Sequence, residues 1–186
     1  MIFTILFFIF VIAASIEGRR AVFLSKEKPE RIDKEWVMFI PLVTYIMIIS
    51  AGVVEYFISG RQMNFTVSLL GLVVFIIGRT LRNLSISTLG RSWSIHVKSD
   101  NVECVIKKGP YRYTRHPYYL GSLVVLSGVL LIANSYYSFL LVIFIQAPLY
   151  FIRMRIEEKE LSKKFGTEYS VYKKETPLFP RIKKAI

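Results

Sequence analysis

The chain carries one cysteine, Cys104, and two histidines, His96 and His116, among 186 residues. A lone thiol excludes an internal disulfide, and so few imidazoles leave no His/Cys set with which to build a zinc site. Cys104 has no evident chemical role. The sequence also lacks a glycine-rich dinucleotide or phosphate fingerprint, a Gly-x-Ser-x-Gly elbow and an HExxH helix. Hydrolytic and soluble nucleotide-binding chemistries are thus without their usual signals. Acidic residues are scarce as well, 13 against 25 Lys and Arg, for a net charge of +12.

What is abundant is apolar sequence. A hydrophobic content of 53% and a mean hydropathy of +0.45 are too high for an ordinary soluble domain. The length suits a single domain over 1–186, and the composition predicts an all-α integral membrane protein. Five stretches read as spans, roughly 1–17, 36–58, 66–80, 118–133 and 136–152, each close to the length a bilayer crossing needs. The first reads as an uncleaved helix rather than a signal peptide, because no basic residue precedes it and Arg19 and Arg20 follow it.

The positive charge sits in alternate connections. Lys and Arg number 6 in 18–35, 8 in 79–117 and 10 from 153 onward, against 1 in 59–65 and none in 134–135. The positive-inside rule then places the N-terminus outside and the C-terminus in the cytoplasm. The charge therefore reports topology and attraction to anionic membrane lipids, not nucleic-acid binding.

The first basic loop, with acids interleaved, reads as a solvated connector. Glu55, near the outer end of the second span, reads as an interfacial side chain snorkelling beside Tyr56. The region from Gly78 to Trp93, which includes Arg79, Arg82 and Arg91, reads as a span end in the headgroup zone. Residues 94–117 form the longest polar connection. Only Asn134 and Ser135 separate the last two spans, which must form an antiparallel helical hairpin. That hairpin returns two polar clusters to one membrane edge: the Arg-, His- and Tyr-rich run 109–121, and Arg153, Arg155, Glu157, Glu158 and Glu160. Arg153 and Glu157, four apart, share a helix face. Histidine, phenols and guanidinium groups together suit an anionic or zwitterionic ligand; an interfacial Tyr/Arg anchor is the alternative. Further on, Leu161, Phe165, Tyr169 and Tyr172 form a packing stripe, interrupted at Gly166 and ended by Pro177 and Pro180.

The run Leu89-Gly90-Arg91-Ser92-Trp93-Ser94-Ile95-His96, the run 105–121 containing Gly109-Pro110-Tyr111 and Arg115-His116-Pro117-Tyr118-Tyr119, Arg153-x-x-x-Glu157-Glu158, and Phe165-Gly166-x-Glu168-Tyr169-x-x-Tyr172 follow one another in an order that resembles the isoprenylcysteine carboxyl methyltransferase family. The likeness covers about residues 66–182, behind an N-terminal pair of spans in 1–65. It implies a small membrane methyltransferase with S-adenosylmethionine in a cytosolic pocket formed with the C-terminal helices. Its substrate would be lipophilic or lipidated, reaching the site from the bilayer. By resemblance, Tyr111, His116, Pro117, Tyr118 and Tyr119 line the cofactor pocket, Glu157 contacts the cofactor and Arg153 orients the acceptor. His96, Glu103, Val105 and Ile106 supply further cofactor contacts. Glu103 departs from the His usual in the family. For a phenol or enol acceptor, His116 or Glu158 would serve as base. Two rivals remain: an NADPH-dependent sterol-type reductase, whose RHPNYFGE motif is broken here by Tyr118 and Ser122, and a non-catalytic lipid-binding protein. The membrane would be the cytoplasmic one in a prokaryote and the endoplasmic reticulum in a eukaryote.

Overall fold

The computed structural model describes residues 36–60, 62–90 and 104–180. Among them the regular structure is helical, without strands: α1 (Trp36–Ile58), α2 (Phe65–Leu89), a 3₁₀ turn (Gly109–Arg112), α3 (Pro117–Ile132), α4 (Tyr136–Phe165) and α5 (Thr167–Glu175). The span expected over 1–17 lies outside the described residues, as do His96 and Glu103. Helix α1 from Phe39, α2 and α4 are each long and apolar enough to cross a membrane. The shorter apolar α3 has 16 residues, or about 24 Å. Val43, Ile46, Met47, Leu69, Ile76, Ile77, Ile143 and Phe144 lie exposed on the outer faces. Such helices are apolar on the outside as well as the inside because their solvent is lipid.

Lipid tails give helices no hydrophobic reason to associate, so close packing through small residues must do it. Helix α2 buries Ser68, Gly71, Phe75, Gly78 and Ser85, one seam of alternating three- and four-residue steps. It packs antiparallel on α3, where Gly121 and Gly128 repeat the seven-residue spacing. A Cβ on Gly78 would sit 2.6 Å from the Val125 nitrogen, and one on Gly128 would sit 2.5 Å from that of Phe75. Those obstacles are backbone, which cannot rotate away. Gly78→Val and Gly128→Val are each expected to cost at least ~2 kcal/mol and to lower the thermal midpoint in detergent markedly.

Two expected boundaries move. Helix α2 continues past residue 80 to Leu89, because its hydroxyl side chains are satisfied within the helix. Thr80 Oγ1 donates to Ile76 O (2.8 Å), Ser85 Oγ to Leu81 O (2.6 Å) and Thr88 Oγ1 to Leu84 O (2.6 Å). Arg82 thus belongs to the helix body. Likewise α4 does not end at 152 but carries the ionic cluster on one uninterrupted rod to Phe165, where Gly166 at φ 52° stops it. Within α4, Val142–Gln146 is a π-helical turn closed by the Ala147 N–H on Val142 O. The next residue, Pro148, has no N–H, and the wider turn accommodates it. Gln146, fully buried there, accepts from Thr44 Oγ1 (2.9 Å) and donates to Pro41 O (3.0 Å), locking α4 to α1.

Asn134 and Ser135 do make the tight hairpin, with Asn134 at φ 56°. Asn134 Nδ2 donates to Ser68 Oγ (2.7 Å), and Ser135 Oγ donates to Gly52 O (2.8 Å), tying the turn to α2 and α1. Glu55 is not a snorkelling side chain. It accepts from the Tyr137 and Ser138 N–H groups (3.1 and 2.8 Å) and from Ser138 Oγ (2.8 Å), capping the start of α4 from a neighbouring helix. Orphan donors at a helix N-terminus attract a carboxylate in this way.

Candidate functional site

The hairpin brings the two polar clusters together at the end of the bundle opposite that turn. Gly109 enters at φ 55°, and a Cβ there would meet Thr88 Oγ1 at 2.8 Å, so only glycine fits. Pro110 is then the second residue of the 3₁₀ turn and Pro117 the first of α3, each at a position that needs no N–H. Between these two prolines the backbone is held tightly enough to present Tyr111, Arg115, His116, Tyr118 and Tyr119 to α4.

From α4 come Tyr150, Arg153 and Glu157, at steps of three and four that put them on one face. Arg153 and Glu157 meet through Tyr119. Arg153 Nε donates to Tyr119 Oη (2.9 Å), and that hydroxyl donates to Glu157 Oε2 (2.8 Å). The guanidinium also lies over the Tyr119 ring, 5.6 Å from its centroid. Tyr119 packs on Tyr118 and Tyr150 at 5.5 and 5.3 Å, and the His116 ring lies 5.7 Å away. Behind Tyr118 stands Arg82, its Nη2 donating to the phenol at 3.4 Å. Arg82 Nε is buried and has no hydrogen-bond partner among the described residues.

The adjacent carboxylates have different surroundings. Glu157 keeps 30% of its side chain exposed, with His116 Nδ1 4.0 Å from its Oε2. Glu158 keeps 2% and is paired with Arg115 Nε (2.9 Å), Lys173 Nζ (2.8 Å) and His116 Nε2 (3.5 Å). Glu158 is thus enclosed by these partners. His116 is itself buried between the two carboxylates.

Helix α5 and the residues after it close the site from the far side. Tyr172 Oη donates to Tyr111 O (2.7 Å), Arg115 Nη1 to Lys173 O (2.9 Å), the Arg115 N–H to Pro177 O (3.2 Å) and Thr114 Oγ1 to Leu178 O. In the expected stripe, Tyr169 and Tyr172 are buried, with Leu161 and Phe165 partly so. Burial pushes the Tyr111 phenol up, helped by the nearby Glu157 charge. Burial likewise raises Tyr172 to about 12, against the lowering effect of Arg115. Both remain neutral donors at physiological pH.

Tyr111, His116, Pro117, Tyr118, Tyr119, Arg153 and Glu157 are therefore brought together, while Val105 and Ile106 are half-buried on the approach to Gly109. Sequence reasoning placed Arg115 in the cluster, as part of the run 109–121, but missed Arg82 and Lys173 as members of it. For Arg82 the available signal was an arginine directly after an apolar run, whereas nothing near Lys173 in sequence announces its reach to Glu158.

A family model described as the isoprenylcysteine carboxyl methyltransferase (ICMT) family matches residues 69–163. The chain is 32% identical over 168 residues to a probable protein-S-isoprenylcysteine O-methyltransferase of Oryza sativa subsp. indica, covering 88% of this chain and 83% of that protein. It is 28% identical over 172 residues to protein-S-isoprenylcysteine O-methyltransferase B of Arabidopsis thaliana, covering 90% and 83%. The Saccharomyces cerevisiae protein-S-isoprenylcysteine O-methyltransferase is 32% identical over 108 residues, 57% of this chain, and the match spans less than half, 45%, of that longer protein.

Proposed function

Because the chain belongs to the isoprenylcysteine carboxyl methyltransferase family, we propose that it is a membrane methyltransferase that uses S-adenosylmethionine to methylate a carboxylate, or another oxygen, of a lipophilic or prenylated substrate. The observation that carries this reading is the Arg153–Tyr119–Glu157 relay at the end of the bundle: a buried cation and a half-open anion held apart by one phenol.

The residues suit the cofactor's chemistry. Glu157 is the accessible acid of the pair and complements an ammonium or sulfonium cation. S-adenosylmethionine, when bound, supplies a methyl group on a positively charged sulfur. Arg153 holds one oxygen of the acceptor and leaves the other to attack, with Arg82 and its unpartnered Nε as a second donor on the Tyr118 side. A carboxylate is already ionised at pH 7, so orientation and proximity carry the rate and no general base is required. The positive-inside pattern supports a cytoplasmic face for the site.

Calorimetric titration of the detergent-purified protein with S-adenosylhomocysteine, with NADPH in parallel, tests the reading. Saturable binding of the first alone is the expected result. NADPH binding alone would replace the methyltransferase by a reductase. Ser122 stands where that reductase motif has Glu, and its hydroxyl is turned onto its own helix at Tyr118 O (2.9 Å).

A further inference from the structure

Glu158 is a buried carboxylate at the centre of a charge cluster formed with Arg115, His116 and Lys173, and the chemistry above does not use it. An ionised acid taken out of water is tolerated only when partners replace the lost hydration. Here they come from two other parts of the fold: Arg115 and His116 from the segment before α3, and Lys173 from α5. Each partner also leads elsewhere. Arg115 donates from Nη1 to the Lys173 carbonyl and from its N–H to the Pro177 carbonyl. His116 turns its other nitrogen toward Glu157, 4.0 Å away.

We propose that Glu158 is a positioning residue that clasps α5 and the residues after it, 167–178, onto 111–116 and holds the His116 imidazole against Glu157. The proposal rests on Glu157 and His116 lining the cofactor pocket as read above. It assigns the two adjacent acids different tasks: Glu157 faces the ligand, and Glu158 sets the shape that the ligand meets without touching it. The bonds that the Tyr172 and Thr114 hydroxyls and the Arg115 N–H make to backbone carbonyls fix where the strap lies. The Glu158 charge ties that strap to α4, the helix carrying Arg153 and Glu157.

Three readouts on the full-length protein in lipid nanodiscs test this: S-adenosylhomocysteine affinity, the split between kcat and the KM for S-adenosylmethionine, and hydrogen exchange of 167–178. Glu158→Gln removes the charge that faces buried Arg115 and the tie from Lys173, so affinity is expected to fall about tenfold or more and exchange in 167–178 to accelerate, with kcat at saturating donor changed less than about threefold. Glu158→Asp keeps the charge and is expected to recover part of the affinity. Lys173→Met, at a side chain 41% exposed, removes only the tie from α5 and leaves the interior folded. It is expected to speed exchange in 167–178 while leaving 117–132 unchanged, and to raise the KM with little effect on kcat. Wild-type affinity and exchange in Glu158→Gln, or unchanged exchange in Lys173→Met, overturn the proposal, as does a Glu158→Gln loss confined to kcat. If the unmutated protein binds no S-adenosylhomocysteine, the cofactor reading fails, whereas the exchange comparison still decides whether the clasp exists.

Discussion

Arg153→Ala is expected to lower kcat about 10²- to 10³-fold while S-adenosylhomocysteine affinity stays within a few-fold of wild type. Methyl transfer from a sulfonium to a carboxylate is a displacement in which the two charges disappear together. The protein therefore contributes geometry more than acid or base. Arg153 is suited to that work because it is itself held in place: Nε is fixed on Tyr119 Oη, the guanidinium lies over the ring, and the side chain is 9% exposed. Arg153→Lys should recover little, since an ammonium on a flexible stem lacks the planar fork. Tyr119→Phe removes the same anchor from the other side, so it and Arg153→Ala should combine less than additively. Methylation of a prenylated cysteine analogue by labelled donor in nanodiscs measures all three variants. Near wild-type kcat in Arg153→Ala would remove the residue from the reaction.

That Arg153 and Glu157 face the run 109–121 was legible in the sequence. A two-residue connection between apolar spans leaves no other topology, and a spacing of four leaves them on one face. Their linkage was not legible. Tyr119 is one of four tyrosines in a short run, and only the course of α3 decides which phenol reaches α4. Glu157 and Glu158 are alike in sequence but separated by about a quarter-turn in the helix, which leaves one half-open and the other enclosed. The length of α2 was underestimated because hydropathy falls at Arg79 and Arg82, although Thr80 bonds back to Ile76 O and Arg82 Nη2 reaches the Tyr118 phenol, so the helix continues through them. The seam on that helix was present as Gly71 and Gly78, facing Gly121 and Gly128. It is a pattern of small residues rather than of apolar ones, which an apolarity profile passes over. Glu55 was assigned from its neighbour Tyr56, whereas its partners lie more than eighty residues away at the start of α4.

Glu157→Gln separates charge from shape at the remaining position. An amide has the size of a carboxylate and can still accept from the Tyr119 hydroxyl, so the relay and the fold should persist. What is lost is the negative charge opposite a cationic ligand. A charge-assisted contact is worth roughly twice a neutral one, so S-adenosylhomocysteine affinity is expected to fall about 10- to 100-fold, with the thermal midpoint nearly unchanged. The midpoint should hold because the side chain, 30% exposed, is not a buried charge whose loss strands a partner. Hydrogen exchange in 167–178 should hold too, and that distinguishes the two acids: Glu157→Gln loses ligand with α5 closed, and Glu158→Gln loses it with α5 loosened. Calorimetry and exchange on the same two samples separate these outcomes. Unaltered affinity in Glu157→Gln would leave the relay a structural brace and move the cation-binding role elsewhere in the site.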